Sequence, residues 1–154
     1  MKAVKICELL RAEDITLEIR ARGKEPLIRE LVGLLARSGK VAEEAAVIEE
    51  ALKRERLGST GLGDGIAIPH ARTDIVKQIA VAFGLSRHGV EFAALDGGPV
   101  HVVLFFAIPA EAVREYLMLL AHTARMFKKK ELVQTLLTCT TPEQVIAAFA
   151  RNEE

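Results

Sequence analysis

Residues 54–72 read Arg-Glu-Arg-Leu-Gly-Ser-Thr-Gly-Leu-Gly-Asp-Gly-Ile-Ala-Ile-Pro-His-Ala-Arg. The start of this stretch predicts the charged end of a helix, and four of the eight residues 58–65 are glycine. Glycine adopts backbone conformations that other residues resist, so these eight residues predict a loop that turns sharply or lets a ligand approach its backbone. Residues 66–68 then predict a short apolar strand, followed by Pro69 and His70. The stretch therefore predicts a change from helix to strand, with a histidine at the carboxyl end of the strand.

The residues before this stretch predict two helices and one strand. Within residues 24–56, Leu27 and Leu31 begin an apolar stripe at helical spacing, Gly39 supplies a stop, and a second helix with one charged side follows. Residues 15–19 alternate apolar and polar side chains, which predicts a short strand with one covered face.

The residues after this stretch predict two longer strands and three helices. Residues 79–85 and 100–108 are apolar, and the second run is apolar almost throughout, as expected of a central strand covered on both faces. Helices are predicted for residues 111–127 and 131–137, and Thr141 followed by Pro142 predicts the start of a last helix. The whole pattern predicts an α/β fold in which a mixed β-sheet is sandwiched between helices.

Composition limits the function more than it defines it. The chain has 154 residues, half of them apolar, which predicts a single domain over residues 1–154. Its formal net charge is zero, which argues against a nucleic-acid partner because such proteins need a basic excess. No apolar run approaches a membrane span, and the first residues do not resemble a signal peptide. Cys7 and Cys139 fit no metal spacing, so we expect a cytoplasmic protein with reduced thiols, no metal site and no cofactor.

The residue types around His70 suit phosphoryl chemistry without proving it. A neutral imidazole is a good nucleophile toward phosphorus, and the guanidinium groups of Arg54 and Arg72 match phosphate oxygens. Free backbone N–H groups in the glycine-rich loop, with the hydroxyls of Ser59 and Thr60, could stabilise the transferring charge. The loop is neither a Walker loop nor a Rossmann fingerprint, and a histidine after proline is most often only a turn residue. Residue types alone therefore leave the function open.

The same stretch resembles the active-site signature of the type-2 enzyme IIA domains of the bacterial phosphoenolpyruvate-dependent phosphotransferase system. This is the fructose, mannitol and nitrogen-regulatory family. Its pattern asks for an acidic or amide residue, then an apolar and a small residue, and then Ile-Ala-Ile-Pro-His with a small residue after it. Glu55, Leu62, Gly63 and residues 66–71 match these positions in register. Residues 54–61, 96–100 and 108–111 also resemble family sequence, so the resemblance covers essentially the whole chain. It implies the enzyme IIA type-2 (mannitol/fructose-like) fold.

The resemblance implies a role for several residues. His70 corresponds to the histidine that is phosphorylated on Nε2 by the phosphohistidine of the small carrier HPr. Arg54 corresponds to an arginine that supports the phosphoryl group, and Ser59 and Thr60 are candidates for hydroxyls beside the phosphate. Many relatives have a second histidine where this chain has Tyr116, whose hydroxyl can form a hydrogen bond but cannot carry a positive charge. His122, six residues further along the same helix, is expected to face elsewhere.

The resemblance leaves the destination of the phosphoryl group open. One hypothesis is sugar uptake, in which the group passes to a cysteine of a separate IIB domain, since no IIB or IIC domain is expected within these residues. Another is nitrogen-regulatory signalling, in which the chain binds kinases or transporters according to its phosphorylation state. A third is a degenerate member that binds partners without being phosphorylated. Of the other histidines, His88 is expected to be solvated and His101 to satisfy a local polar group.

Overall fold

The computed structural model describes residues 4–154, which form six helices and a six-stranded mixed sheet. The helices are α1 (Ile6–Leu9), α2 (Lys24–Arg37), α3 (Glu44–Leu57), α4 (Val113–Met126), α5 (Lys130–Leu137) and α6 (Pro142–Asn152). The strands are β1 (Leu10–Thr16), β2 (Gly61–Gly63), β3 (Ile66–Ala67), β4 (His70–Thr73), β5 (Ala80–Val90) and β6 (Val100–Pro109). The strand order is β1-β5-β6-β3-β2, and β4 also pairs with β6.

Helices cover both faces of the sheet. One buried apolar cluster joins α2 and α3 to one face, and a second joins α1, α4, α5 and α6 to the other. Neighbouring residues of β6, such as Phe105 and Phe106, enter opposite clusters because side chains alternate along a strand. This confirms the predicted mixed sheet between helices, with residues 100–108 as a central strand that is buried on both faces.

Most of the predicted helices are confirmed to within a few residues. After α2, Gly39 adopts a left-handed conformation with φ of 81°, as a helix stop requires. The side chain of Thr141 accepts a hydrogen bond from the backbone N–H of Gln144 at 3.2 Å, and Pro142 is the first residue of α6. Cap and stop residues therefore locate these helix ends.

The predicted strand at residues 15–19 is largely wrong, because β1 is Leu10–Thr16 and α1 precedes it. Charged residues within β1 interrupt the alternation of apolar and polar side chains, so the sequence pattern does not indicate a strand there. One of them, Asp14, is fully buried and has the ammonium of Lys40 at 2.6 Å and the hydroxyl of Ser38 at 2.7 Å. A buried carboxylate with such partners can occupy a strand position that otherwise takes an apolar side chain.

The glycine-rich stretch is more ordered than predicted. Gly61–Gly63 pairs with Ile66–Ala67 as a short antiparallel hairpin, whose turn residues Asp64 and Gly65 have φ of 56° and 81°. A Cβ atom on Gly61 would lie 2.8 Å from the Cα of Ala94. This glycine is therefore required by a close approach within the protein.

Strands β3 and β4 are two pieces of one interrupted strand beside β6. Both pair with β6 in parallel, Ile66 opposite Val102 and His70 opposite Phe106. The interruption falls at residues 68–69, where Pro69 has no N–H to donate to the ladder. Pairing with β6 resumes at His70, which is therefore the first residue of β4.

Candidate functional site

His70 is buried, with 3% of its surface exposed, and both of its ring nitrogens have a partner. Nδ1 lies 3.1 Å from the carbonyl oxygen of Ile68, and Nε2 lies 3.2 Å from the hydroxyl oxygen of Tyr116. A carbonyl oxygen can only accept, so we assign the proton to Nδ1. Nε2 then keeps its lone pair and accepts a hydrogen bond from Tyr116. This is the tautomer that a nucleophilic Nε2 requires.

The surroundings of His70 favour its neutral form. Burial lowers the pKa of His70 below its usual 6.5, and the positive charge of Arg54 acts in the same direction. The hydrogen bond to the Ile68 carbonyl and the charge of Glu55 oppose this effect, but the net direction of the pKa shift is downward. The imidazole is therefore neutral at neutral pH, with its lone pair available.

A cavity of about 530 Å³ lies beside His70 and has a strongly cationic lining. Its basic side chains come from α3 and β4: Lys53, Arg54, Arg56 and Arg72. Glu50 is the acidic residue among the lining, with Leu57 and Tyr116 completing it. Such an arrangement of positive charge at a concave surface attracts an anion.

Arg54 and Arg72 are held in the lining by backbone carbonyl groups. Nη1 of Arg54, in the last turn of α3, donates to the carbonyl oxygen of Gly58 at 2.8 Å. Nη1 of Arg72 donates to the carbonyl oxygen of Ala110 at 2.6 Å, and its guanidinium lies 5.4 Å from the ring centre of Tyr116. A guanidinium has five N–H groups, so each keeps donors for an anion.

The structure does not bring Ser59 and Thr60 into this cavity. The hydroxyl of Ser59 donates to the carbonyl oxygen of Phe92 at 3.2 Å and accepts from the N–H of Gly61 at 3.0 Å. The hydroxyl of Thr60 donates to the carboxylate of Glu55. Both hydroxyls therefore donate to other parts of the protein, Ser59 to Phe92 and Thr60 to α3.

Several of the loop N–H groups that the residue types offered to an anion are bonded within the protein instead. The N–H of Thr60 donates to Glu55 Oε1 at 3.1 Å, and that of Asp64 donates to Asp96 at 3.0 Å. The N–H of Gly58 donates to the carbonyl oxygen of Glu55, and that of Gly61 donates to the hydroxyl of Ser59. The glycines therefore allow tight packing, and the positive charge of the cavity comes from side chains.

The other histidines lie apart from this cavity. Nε2 of His122 contacts the carboxylate of Glu153 at 2.5 Å, so it faces away from His70, as predicted. Nδ1 of His101 donates to the carbonyl oxygen of Ser86 at 2.8 Å, which satisfies a local polar group. His88 is exposed, although its Nε2 also lies 3.0 Å from the carbonyl oxygen of Ile19.

Sequence reasoning missed part of the lining. Lys53, Arg56 and Leu57 line the cavity, although no functional role was predicted for any of them from the sequence. Leu57 is 85% exposed, and Leu117, next to Tyr116, is 57% exposed. The signal was present in the three basic residues among positions 53–56, which are followed by a large apolar residue just before the glycine-rich loop.

Within residues 4–154, no cluster of three or more His, Cys, Asp or Glu side chains forms a candidate metal site. None of the helices in this part of the chain is long and apolar enough to cross a membrane.

Comparison with known proteins assigns the family. Residues 8–152 match the family model described as phosphoenolpyruvate-dependent sugar phosphotransferase system, EIIA 2. The fructose-specific EIIABC component of Bacillus subtilis is 38% identical over 151 residues, which cover 98% of this chain and 24% of that protein. The chain thus spans about a quarter of the length of that relative.

Solved structures give the same fold. The crystal structure of nitrogen regulatory protein IIA-Ntr from Neisseria meningitidis superposes with a TM-score of 0.87 and 38% identity, covering 94% of this chain and 98% of that one. Escherichia coli enzyme IIA-mannitol, in its complex with phosphorylated enzyme IIB-mannitol, has a TM-score of 0.79 and 26% identity, covering 92% and 97%. The predicted enzyme IIA type-2 fold is confirmed. The chain belongs to the EIIA 2 family of the phosphoenolpyruvate-dependent sugar phosphotransferase system.

Proposed function

We propose that this chain is a phosphohistidine carrier in which Nε2 of His70 accepts a phosphoryl group from the phosphohistidine of HPr. The observation that carries the proposal is the pair of contacts at the ring. The Ile68 carbonyl keeps the proton on Nδ1, and the unprotonated Nε2 belongs to a residue that lines a cationic cavity.

The chemistry needs no cofactor. The lone pair of Nε2 forms a bond to phosphorus while the P–N bond of the donor breaks, and that electron pair returns to the donor imidazole. The proton on Nδ1 of His70 stays in its hydrogen bond to Ile68 throughout. Phosphoryl transfer depends mainly on positioning and electrostatic stabilisation, which this site offers through its fixed ring and its basic residues.

Three side chains would act on the transferring group. Arg54 and Arg72 have N–H donors beyond those that bond to Gly58 and Ala110, and these can bind the phosphoryl oxygens. The hydroxyl of Tyr116 must leave Nε2 when phosphorus approaches, and it can then donate to a phosphoryl oxygen. We do not extend this role to Ser59 and Thr60, because their hydroxyls donate to Phe92 and Glu55 within the protein.

The next acceptor defines two forms of this function. Transfer to a cysteine of a IIB partner is supported by the likeness to the IIA-mannitol structure that was solved with phosphorylated IIB. Regulation of a kinase or transporter by the phosphorylation state of His70 is supported by the likeness to IIA-Ntr. The exposed Leu57, at the edge of the cavity, provides an apolar contact for either partner.

The proposal is tested by incubating the chain with phosphoenolpyruvate, enzyme I and HPr and measuring the intact mass. We expect one acid-labile phosphoryl group on the wild type, one on the control His88→Ala and none on His70→Ala. Phosphorylation of His70→Ala would move the site to another residue. A wild type that takes up no phosphoryl group would favour the degenerate member that binds partners without being phosphorylated.

A further inference from the structure

A buried glutamate next to Arg54 is the centre of a hydrogen-bond network outside the cavity. Glu55 is 7% exposed, and Oε1 lies 3.0 Å from the ammonium of Lys24 and 3.1 Å from the backbone nitrogen of Thr60. Its Oε2 accepts a hydrogen bond from the hydroxyl of Thr60. Buried carboxylates are stable when every oxygen has a partner, as both do here.

This network continues through the backbone to the imidazole of His70. The carbonyl oxygen of Thr60 accepts from the N–H of Ile68 at 3.1 Å. The carbonyl oxygen of Ile68 in turn accepts from Nδ1 of His70 at 3.1 Å. Thr60 and Ile68 therefore each donate a hydrogen bond toward Glu55 and accept one from the side of His70.

The link matters because it falls at the interruption between β3 and β4. Ile68 lies between β3 and β4, and the following Pro69 has no N–H. The bond from the Ile68 N–H to Thr60 holds the peptide group that precedes Ile68 against the loop, and so helps to hold in place the residue whose carbonyl accepts from His70. A carbonyl that turned away would release the proton on Nδ1, and the imidazole could then adopt its other tautomer.

The same helix end fixes both sides of the site. Arg54 extends into the cavity, while its neighbour Glu55 extends inward to Thr60. We propose that Glu55 is a positioning residue that fixes the tautomer and orientation of His70 through Thr60 and Ile68. The effect on phosphorylation rests on the proposed function, whereas the tautomer is a property of the unphosphorylated protein.

Two substitutions separate the reach of Glu55 from its charge. Glu55→Gln loses the charge next to Lys24, but its amide can still accept from the N–H of Thr60 and bond to the hydroxyl. Glu55→Asp keeps the charge, but its shorter side chain withdraws the carboxylate from Thr60. Glu55→Ala removes both, and Glu25→Ala, which breaks an exposed ion pair with Arg29, is the matched control.

The readouts are the ¹⁵N shifts of the His70 ring and the rate of phosphorylation by phosphorylated HPr. We expect the Nδ1–H tautomer in wild type, Glu55→Gln and Glu25→Ala, and a mixture of tautomers in Glu55→Asp and Glu55→Ala. Misplacement of a nucleophile lowers rates strongly, so we expect a loss of about 10- to 100-fold for the Asp and Ala variants. The Gln variant should stay within about threefold, since it replaces its hydrogen bonds to Thr60.

Two results would overturn the inference. One is a folded Glu55→Asp that keeps the wild-type tautomer and rate. The other is a Glu55→Gln that loses as much as Glu55→Asp, which would assign the effect to charge. These two variants decide the question even if Glu55→Ala does not fold. A wild type that is not phosphorylated would end the proposed function while leaving the tautomer test intact.

Discussion

The hydroxyl oxygen of Tyr116 lies 3.2 Å from Nε2 of His70, the ring atom that we propose attacks phosphorus. The resting site thus holds its nucleophilic lone pair in a hydrogen bond that the incoming group must replace. The guanidinium of Arg72 lies 5.4 Å from the centre of the Tyr116 ring, within cation–π range. Tyr116 therefore connects His70 to one of the three arginines that line the cavity.

Tyr116→Phe should raise the pKa of His70. The hydroxyl donates to the unprotonated Nε2 and so stabilises the neutral ring, and its removal leaves the protonated ring less disfavoured. The measurement is an NMR titration of the His70 ring in the wild type and in the variant. An unchanged or lower pKa of His70 would show that this hydrogen bond does not stabilise the neutral ring.

The same variant should be phosphorylated about tenfold more slowly. The phosphoryl group would lose one hydrogen bond to a charged oxygen, which contributes roughly 1.5 kcal/mol. The check is the initial rate with phosphorylated HPr at a pH well above the pKa of His70. A rate equal to that of the wild type would remove Tyr116 from the residues that stabilise the transferring group.

Arg54→Gln should fold normally and be phosphorylated about 100-fold more slowly, because one preorganised cationic donor is lost. Arg29→Gln, which breaks an exposed ion pair on α2, is the control and should match the wild type. Arg54→Lys should recover only part of the rate, since an ammonium cannot bind two oxygens in the planar geometry of a guanidinium. Wild-type kinetics in Arg54→Gln would show that the positive charge needed comes from other residues.

The depressed pKa of His70 predicts a specific dependence of stability on pH. Burial lowers the pKa of the folded state below 6.5, whereas the unfolded histidine titrates near 6.5. Between these two values the unfolded chain binds the proton and the folded chain does not. The free energy of unfolding should therefore be highest above about pH 6.5. It should decrease as the pH is lowered, until the pH has passed below the pKa of the folded state. Urea denaturation of wild type and His70→Gln should show that the variant loses this part of the slope; equal slopes would contradict the depressed pKa.

Lys40→Met should destabilise the protein without affecting phosphorylation. It leaves the fully buried Asp14 without the ammonium at 2.6 Å, and an uncompensated buried charge costs about 3 kcal/mol. The exposed pair of Arg29 and Glu25 is the control, and Arg29→Gln should cost less than about 0.5 kcal/mol. Both values come from urea denaturation, and a loss in Lys40→Met as small as the control's would show that the pair stabilises little.

Local sequence patterns predicted those helices and strands that are indicated by a few neighbouring residues. The apolar run of residues 100–108 was typical of a buried strand, and Thr141 with Pro142 indicated a helix start that the structure has at Pro142. Strand β1 was misplaced because its buried Asp14 is paired with Lys40, which lies 26 residues away in the sequence. No local pattern contains that pairing.

The candidate site shows the same limit. His70 and Arg54 could be proposed from the sequence because of the family resemblance. His70 lies in the family signature, and Arg54 corresponds to an arginine of the family. The bonding of the Thr60 hydroxyl to Glu55 depends on how the loop folds back onto α3. The same loop path takes up the N–H groups that residue types alone offered to an anion.

The central claim is that Nε2 of His70 receives the phosphoryl group, and NMR of the chain after treatment with phosphoenolpyruvate, enzyme I and HPr tests it at the level of the atom. Phosphorus coupling to the ring protons distinguishes the two nitrogens of the labelled histidine. We predict a single phosphohistidine at residue 70, with phosphorus on Nε2 and the proton of Nδ1 still bonded to the Ile68 carbonyl. Phosphorus on Nδ1, on another residue, or on no residue at all would contradict the account.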